Sequence, residues 1–248
     1  MELIIADARE FKSAVDGIVN LIDEGTFEIS EEGLKLRAMD PSQIALVDFS
    51  LPKSAFKKIS LDSNISITLN LVDFAKVLAS GKAGDELTIS LDEKANKLHL
   101  EFKGESKKKF KLPLLETNAT QAREPKIEFD ALIKMRGGSL KGMLRDAGLF
   151  SSHVVIQADE TEFVVEANGD SGDLHIQTTK ESGAIAEIST KNKSRVMFPF
   201  EYLEDITKAC ADDALMEINL KTDAPIKITY PVCRATLTYF LAPRVENV

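Results

Sequence analysis

Apolar and polar residues alternate along much of this 248-residue chain. The stretches TFEIS (26–30), GLKLRAM (33–39) and ISITLNL (65–71) each place every second side chain on one face, which is the pattern of a half-buried strand. Four further stretches alternate in the same way: IALVDFSL, ELTISL, KLHLEF and KFKLPLL. Strands are therefore predicted to dominate the fold.

Two segments of the first half instead repeat their apolar residues at helical spacing. One helix is predicted from about Ala8 to Ile22 and a second near 71–80, each with an apolar stripe along one side. The stripe residues are Phe11, Ala14, Val15, Ile18 and Ile22 in the first helix and Phe74, Val77 and Leu78 in the second. Two short helices can cover one face of a sheet, so the pattern favours an α+β architecture.

The second half of the chain repeats the pattern of the first. A shift of 129 residues places Phe11 on Leu140 and carries residues 69–81 onto residues 198–210. Several such matches in the same order indicate a duplicated structural unit. The twin of the first helix is expected to begin at a capping Ser139.

A polar stretch without apolar periodicity, ETNATQAREPK, joins the two halves and has a proline near its end. Such a composition is typical of an exposed linker. We therefore predict two tandem similar α+β domains of antiparallel sheet with two helices each. The N-terminal domain would cover residues 1–116, the linker 117–126 and the C-terminal domain 127–248.

The formal net charge of −9 argues against nucleic-acid binding if the charge is evenly spread, because the phosphate backbone attracts cations. The basic residues are not evenly spread, however. They recur on the helices opposite the apolar stripes, whereas acidic pairs such as Asp92–Glu93 and Asp212–Asp213 fall in turns. The pattern predicts a basic helical surface that would bind DNA weakly, in a salt-dependent manner and without regard to sequence.

The sequence contains no recognisable catalytic or metal-binding motif. His99, His153 and His175 stand far apart, and Cys210 and Cys233 are expected to be buried, reduced thiols. A glycine-rich phosphate loop and a nucleophile elbow are both missing from the sequence. We therefore expect no cofactor, no metal and no enzymatic activity. No apolar run reaches the ~20 residues of a membrane span, and a cytoplasmic location is expected.

Two stretches carry a resemblance to a known family. LRAMDPSQIALVDFSLP near the start and TYFLAPRVE at the end strongly resemble the sliding clamps of archaea and eukaryotes, the proliferating cell nuclear antigen family. The resemblance covers essentially the whole chain. It implies a closed ring, expected to be a homotrimer, that encircles double-stranded DNA as a processivity factor. The implied partners are DNA polymerase, a clamp loader, and clients of the flap endonuclease and ligase type.

The resemblance also implies which residues contact DNA and which join the subunits. The DNA-facing residues would be Lys12, Lys76, Lys82, Lys141, Arg145 and Lys208. At the subunit interface an edge strand with Lys107, Lys108, Lys109, Phe110 and Leu112 would pair with one carrying Leu174, Ile176 and Thr178. Where some family members carry a further basic residue, this chain has Glu201, which would lighten its hold on DNA.

A client-peptide pocket is implied at the turn between the strands around Arg37 and Phe49. The pocket residues would be Met39, Ile44, Leu46, Pro225, Phe240, Leu241, Ala242 and Pro243. The turn repeated in the second half, Asn168–Gly172, lacks these apolar residues, so a single client site per chain is expected. The linker supplies no large apolar residue between 117 and 125, where relatives often have one.

Two other functions remain open on the sequence alone. The chain could be a subunit of a heterotrimeric or checkpoint-type clamp with the same fold. It could also be a duplicated-domain enzyme whose site lies between the halves, although paired carboxylates, a catalytic triad and a metal cluster are all missing from the sequence.

Overall fold

The computed structural model describes residues 1–116 and 122–244. The chain divides into two compact units that exchange short pieces. The first unit comprises Met1–Pro41, Val47–Ala122 and Val232–Leu237, and the second comprises Ser42–Leu46, Arg123–Pro231 and Thr238–Val248. Residues 117–121 of the predicted linker lie outside the described residues, and the exact domain boundaries stay a prediction.

The first half of the chain forms nine strands and two helices. In chain order they are β1 (Glu2–Ile5), α1 (Ala8–Val19), β2 (Glu24–Ser30), β3 (Gly33–Met39), β4 (Ala45–Pro52), β5 (Phe56–Ser60), β6 (Ile65–Asn70), α2 (Leu71–Leu78), β7 (Glu86–Asp92), β8 (Lys97–Lys103) and β9 (Lys107–Pro113). One sheet has the strand order β5-β1-β7-β8-β9, and the other strands follow the order β4-β3-β2-β6.

The second half forms the same series. Its elements are β10 (Ala131–Arg136), α3 (Gly137–Ala147), β11 (His153–Ala158), β12 (Glu162–Gly169), β13 (Gly172–Thr179), β14 (Ile185–Thr190), β15 (Ser194–Pro199), α4 (Phe200–Lys208), β16 (Leu215–Leu220), β17 (Ile226–Val232) and β18 (Ala235–Leu241). The strand orders are β14-β10-β16-β17-β18 and β13-β12-β11-β15. The predicted α+β class, with tandem antiparallel domains of two helices each, is confirmed.

The duplication extends to an irregularity in the strand pairing. β1 pairs with β5 and β7, and its pairing with β5 shifts register between Ile4 and Ile5. β10 pairs with β14 and β16, and its pairing with β14 shifts between Lys134 and Met135. Because β-bulges alter strand twist and are retained as structural features, their equivalent positions support the repeat that the apolar pattern predicts.

Each unit has an aromatic cluster in its core. In the first unit the Phe74 ring meets Phe11 and Phe27 edge to face, at centroid distances of 6.1 and 5.9 Å. In the second unit Tyr230 and Tyr239 stack at 5.7 Å, and the buried Tyr230 hydroxyl donates to the Ile206 carbonyl at the end of α4. Aromatic pairs of this kind contribute specific packing beyond the area they bury.

Three local predictions from the sequence are wrong. Ser139 lies inside α3, whose N-cap is Arg136, because Gly137 already begins the helix directly after β10. Ile22 is buried but lies beyond the end of α1 at Val19, because Glu24 already begins β2 and the chain must turn. Cys233 is exposed rather than buried, because it occupies the turn between β17 and β18 with a φ of 53°.

Cys210, by contrast, is buried as expected. Burial raises the pKa of its thiol to about 11, and the nearby Lys141 ammonium offsets only part of that effect. Since the thiolate is the reactive form of cysteine, this residue is an inert core side chain.

Candidate functional site

The two helices of each unit pack against each other. In the first unit, Lys12 of α1 and Lys76 of α2 lie away from the buried stripes that contain Phe11 and Phe74. Each lysine forms an ion pair on its own helix, Lys12 with Asp16 and Lys76 Nζ with Asp73 Oδ1 at 3.0 Å. Lys82 follows α2, and its Nζ lies 2.8 Å from Glu105 Oε2.

In the second unit the three predicted DNA-facing cations differ in exposure. Lys141 of α3 is largely covered, because its Nζ donates to the Cys210 carbonyl at 2.8 Å and pairs with Asp212. Arg145 is 80% exposed and its Nε lies 3.9 Å from Asp146 Oδ1. Lys208 of α4 is 67% exposed and its Nζ lies 3.9 Å from Asp205 Oδ1.

The helix surfaces are therefore closer to neutral than the basic pattern predicts. Each of the six predicted cations has a carboxylate oxygen within 4.0 Å. On α4, Glu201 and Glu204 are exposed on the same side as Lys208. Burial, together with these two glutamates, raises the pKa of the Asp205 carboxyl, while Lys208 opposes that shift. A surface so arranged attracts phosphate only weakly.

Most residues of the predicted client pocket belong to the second unit. The Ala242 backbone N–H donates to the Ile44 carbonyl at 2.8 Å, which holds the C-terminal segment against the turn before β4. Leu46, Phe240 and Leu241 are 3%, 3% and 0% exposed, so they form the floor of this region rather than its surface. The half-buried residues available for contact are Ile44, Pro225, Ala242 and Pro243.

Met39 lies in the first unit, at the end of β3, and is 38% exposed. It is one of three large apolar side chains that are exposed among the described residues, the others being Leu149 and Leu215. An exposed methionine at a strand end contributes little to the core. Its flexible thioether side chain is well suited to contacts with varied partners.

Arg244 anchors the end of the described chain. Its backbone N–H donates to the Met197 carbonyl of β15 at 2.8 Å, and its Nη1 lies 2.8 Å from His153 Nδ1. Burial and the adjacent guanidinium hold the pKa of His153 below its ordinary value, so the ring is neutral near pH 7. The segment that carries Ala242 and Pro243 is thus fixed at both of its ends.

A groove of the second unit was not anticipated from the sequence. It is lined by residues 124–127 and 129 together with Lys227 and Phe240, and has a volume of about 360 Å³. We call it the Lys227 groove. Exposure alternates along 124–129, with Pro125, Ile127 and Phe129 half-buried between exposed neighbours. That alternation in PKIEF was a signal available in the sequence, but the stretch was assigned to the linker and the following domain.

The predicted interface strands both lie at sheet edges. β9 is the last strand beyond β8 in its sheet, and β13 is the last strand beyond β12. On β9 the half-buried Phe110 packs edge to face on Phe102 at 5.8 Å, with Leu112 on the same side. On β13, Leu174, Ile176 and Thr178 share one face. An edge strand with an apolar face is a ready partner for another strand.

The three lysines of β9 do not share a face. Lys107 Nζ and Lys109 Nζ approach Glu101 of β8 at 2.6 and 3.3 Å, and these salt bridges lower the pKa of the Glu101 carboxyl. Lys108 points the other way and donates to the Ser80 carbonyl, just after α2, at 2.7 Å. The expected attraction of all three lysines to acids of β13 is therefore divided between two sides of the strand.

Within residues 1–116 and 122–244, no three or more His, Cys, Asp or Glu side chains are grouped so that they could hold a metal ion. In the same part of the chain, none of the helices has the length and apolar character needed to cross a membrane.

Comparisons with known proteins agree along the whole chain. Residues 1–122 match the family model for the proliferating cell nuclear antigen N-terminal domain, and residues 123–245 match that for the C-terminal domain. The DNA polymerase sliding clamp of Methanococcus maripaludis strain C5 is 34% identical over 97% of this chain and 98% of its own. That of Thermococcus sibiricus is 33% identical over 99% of both chains.

Solved structures give the same result. PCNA from Thermococcus kodakaraensis superposes with a TM-score of 0.92 at 29% identity, covering 98% of this chain and 99% of its own. PCNA of A. fulgidus, solved with the C-terminal region of FEN-1 bound to it, has a TM-score of 0.90 at 26% identity, covering 100% and 99%. With two domain matches that together span residues 1–245 and relatives aligned over nearly their full length, this chain belongs to the proliferating cell nuclear antigen family.

Proposed function

We propose that this chain is a DNA sliding clamp, a homotrimeric ring that encircles duplex DNA and tethers DNA polymerase and other replication and repair proteins. The observation that carries the proposal is the alignment of the whole chain with proteins named DNA polymerase sliding clamp. The clamp would act without catalysis of its own, so a separate ATP-driven loader would open it. Its location in the cytoplasm belongs to the same proposal.

The two edge strands support ring closure. β9 of one copy and β13 of the next would pair and bring Phe110 and Leu112 against Leu174 and Ile176. This contact is head to tail, so it closes into a ring when the rotation between copies allows it. It also covers two edges that would otherwise invite aggregation.

The ion-paired helices support sliding rather than tight binding. A ring is held on DNA by its topology, so its contacts with phosphate need only be weak. Lysines that already have carboxylate partners gain less from a phosphate than free ones, which allows rapid movement along the duplex. The proposed contact residues are those that the resemblance implies, with Lys12, Lys76, Lys82 and Lys141 supplemented by the more exposed Arg145 and Lys208.

Client proteins would bind at the proposed pocket through a short peptide. The bound FEN-1 segment in the A. fulgidus relative supports this role. Half-buried Ile44, Pro225 and Pro243, together with exposed Met39, are the apolar contacts that we propose for such a peptide.

The test of the proposal is topological. The protein is loaded onto nicked circular DNA with a clamp loader, and the complex is isolated by gel filtration before and after the circle is cut once. A clamp stays on the circle and is lost from the linear form by sliding off its ends. Equal retention on both forms would contradict encirclement and would indicate ordinary DNA binding.

A further inference from the structure

We propose that the Lys227 groove is a charge-selective subsite for client peptides, which accepts acidic side chains that follow the aromatic anchors. This inference rests on the proposed client pocket and adds a preference that the pocket by itself does not provide. The occupant is a client segment that leaves the pocket and continues along residues 124–129.

The position of Lys227 connects the groove to the pocket. Its ammonium nitrogen lies 5.4 Å from the centroid of the Phe240 ring, and Phe240 is itself a residue of the proposed pocket. A cation over an aromatic face is held there by the ring quadrupole. A peptide that reaches the Phe240 end of the pocket therefore meets this positive charge next.

The charges of the groove favour an acidic occupant. Its lining includes two ammonium groups, Lys126 and Lys227, and one carboxylate, Glu124. The Lys227 Nζ to Glu124 Oε1 distance is 3.6 Å, longer than the roughly 2.7–2.9 Å of a charge-assisted hydrogen bond. The side chain of Lys227 is 29% exposed, so a client carboxylate can reach it while water is partly excluded.

The apolar part of the groove would strengthen this contact. Pro125, Ile127 and Phe129 line it as half-buried side chains, and the Phe240 ring is 3% exposed. A charge pair beside apolar walls is screened less by water and salt than one on an open surface. A nucleic-acid strand fits less well, because its phosphates would meet Glu124 and the exposed Glu128 along the same segment.

The experiment compares two synthetic peptides with the same glutamine, aliphatic and aromatic anchors, followed either by Asp-Asp or by Lys-Lys. Binding to the full-length protein is measured by isothermal titration calorimetry at low salt. The Asp-Asp peptide is expected to bind about fivefold more tightly than the Lys-Lys peptide. Lys227→Ala should remove most of this preference and Lys227→Glu should reverse it.

The control is Lys193→Glu, which changes charge equally on an exposed turn of the same unit outside the groove and should leave the preference intact. If Lys227→Glu also leaves the preference intact, the subsite is wrong while the client pocket stands. If neither peptide binds the unaltered protein at any concentration, the proposed client pocket itself is overturned and the subsite with it. A preference that Lys193→Glu abolishes equally would show that net charge, not the groove, discriminates the peptides.

Discussion

The ammonium group of Lys141 on α3 donates to the carbonyl oxygen of Cys210 at 2.8 Å and so ties α3 to the residues that follow α4. Four residues along the same helix, Arg145 is 80% exposed. The two cations stand on the same side of α3 in the sequence pattern, yet one completes a contact within the unit and the other faces solvent. They are therefore expected to have different roles.

Lys141→Ala is expected to lower the free energy of unfolding by about 1–2 kcal/mol, because a partly buried carbonyl loses a charged donor. Arg145→Ala should change stability by less than about 0.5 kcal/mol and should weaken DNA retention instead. Urea denaturation and retention on circular DNA measure the two effects. Equal loss of stability in both variants would contradict this division of roles.

Neutralising acidic partners on the helices should tighten the hold on DNA. Asp73→Asn frees Lys76, and Glu201→Gln removes an exposed negative charge from α4. Each variant adds one positive charge per subunit, so the salt dependence of DNA binding should become steeper in proportion to the added phosphate contacts. Glu93→Gln, in the turn between β7 and β8, is the matched control. Binding measured between low and moderate salt that stays unchanged in both helix variants would contradict the argument.

Ring formation predicts a defined mass. Light scattering across a dilution series should find a species of three times 27.3 kDa. Ile176→Lys should shift it toward monomer, because a charge would enter the apolar face of β13, whereas His175→Lys on the opposite face should not. A monomer of the unaltered protein at every concentration would instead support the heterotrimeric alternative.

The pocket prediction separates surface from floor. Met39→Ala with Ile44→Ala should leave assembly intact and weaken client-peptide binding at least tenfold if both side chains are central contacts. Leu241→Ala, at a residue that is 0% exposed, should instead destabilise the fold by about 2–5 kcal/mol. Thermal unfolding and peptide titration distinguish the two results. Unchanged peptide affinity in the double variant would contradict the pocket assignment.

Asp7 caps α1 and makes stability depend on pH. Its Oδ1 accepts from the Arg9 N–H at 2.8 Å and its Oδ2 from the Gly84 N–H at 2.9 Å. Burial alone would raise the pKa of this carboxyl, but these backbone N–H groups and that of Glu10 hold it below its ordinary value. Its contribution is therefore present above the unfolded pKa and is lost as pH falls through the folded pKa.

Asp7→Ala should cost about 1 kcal/mol near neutral pH and progressively less in acid, below the ordinary pKa of about 3.9. Urea denaturation at pH 7 and at pH 3 checks both points. A cost that stays constant over this range would contradict the assigned role of the ionised carboxylate.

The sequence alone determined the class, the duplication and most of the strands. GLKLRAM coincides with β3 because strict alternation with one buried face allows a single register. The start of α1 at Ala8 and the inward stripe of Phe11, Ala14, Val15 and Ile18 were equally clear, since their spacing admits no other half-buried element. The motifs that carry the family resemblance are also local in sequence.

Tertiary structure decided what each polar side chain meets. Periodicity places Lys141 and Arg145 on one helix side, but only packing against the end of α4 covers the first and leaves the second exposed. The same is true of Lys108, which turns to the Ser80 carbonyl, and of Lys227, which lies over Phe240. These partners are distant in sequence, and the geometry of hydrogen bonds and ion pairs depends on the three-dimensional arrangement that brings them together.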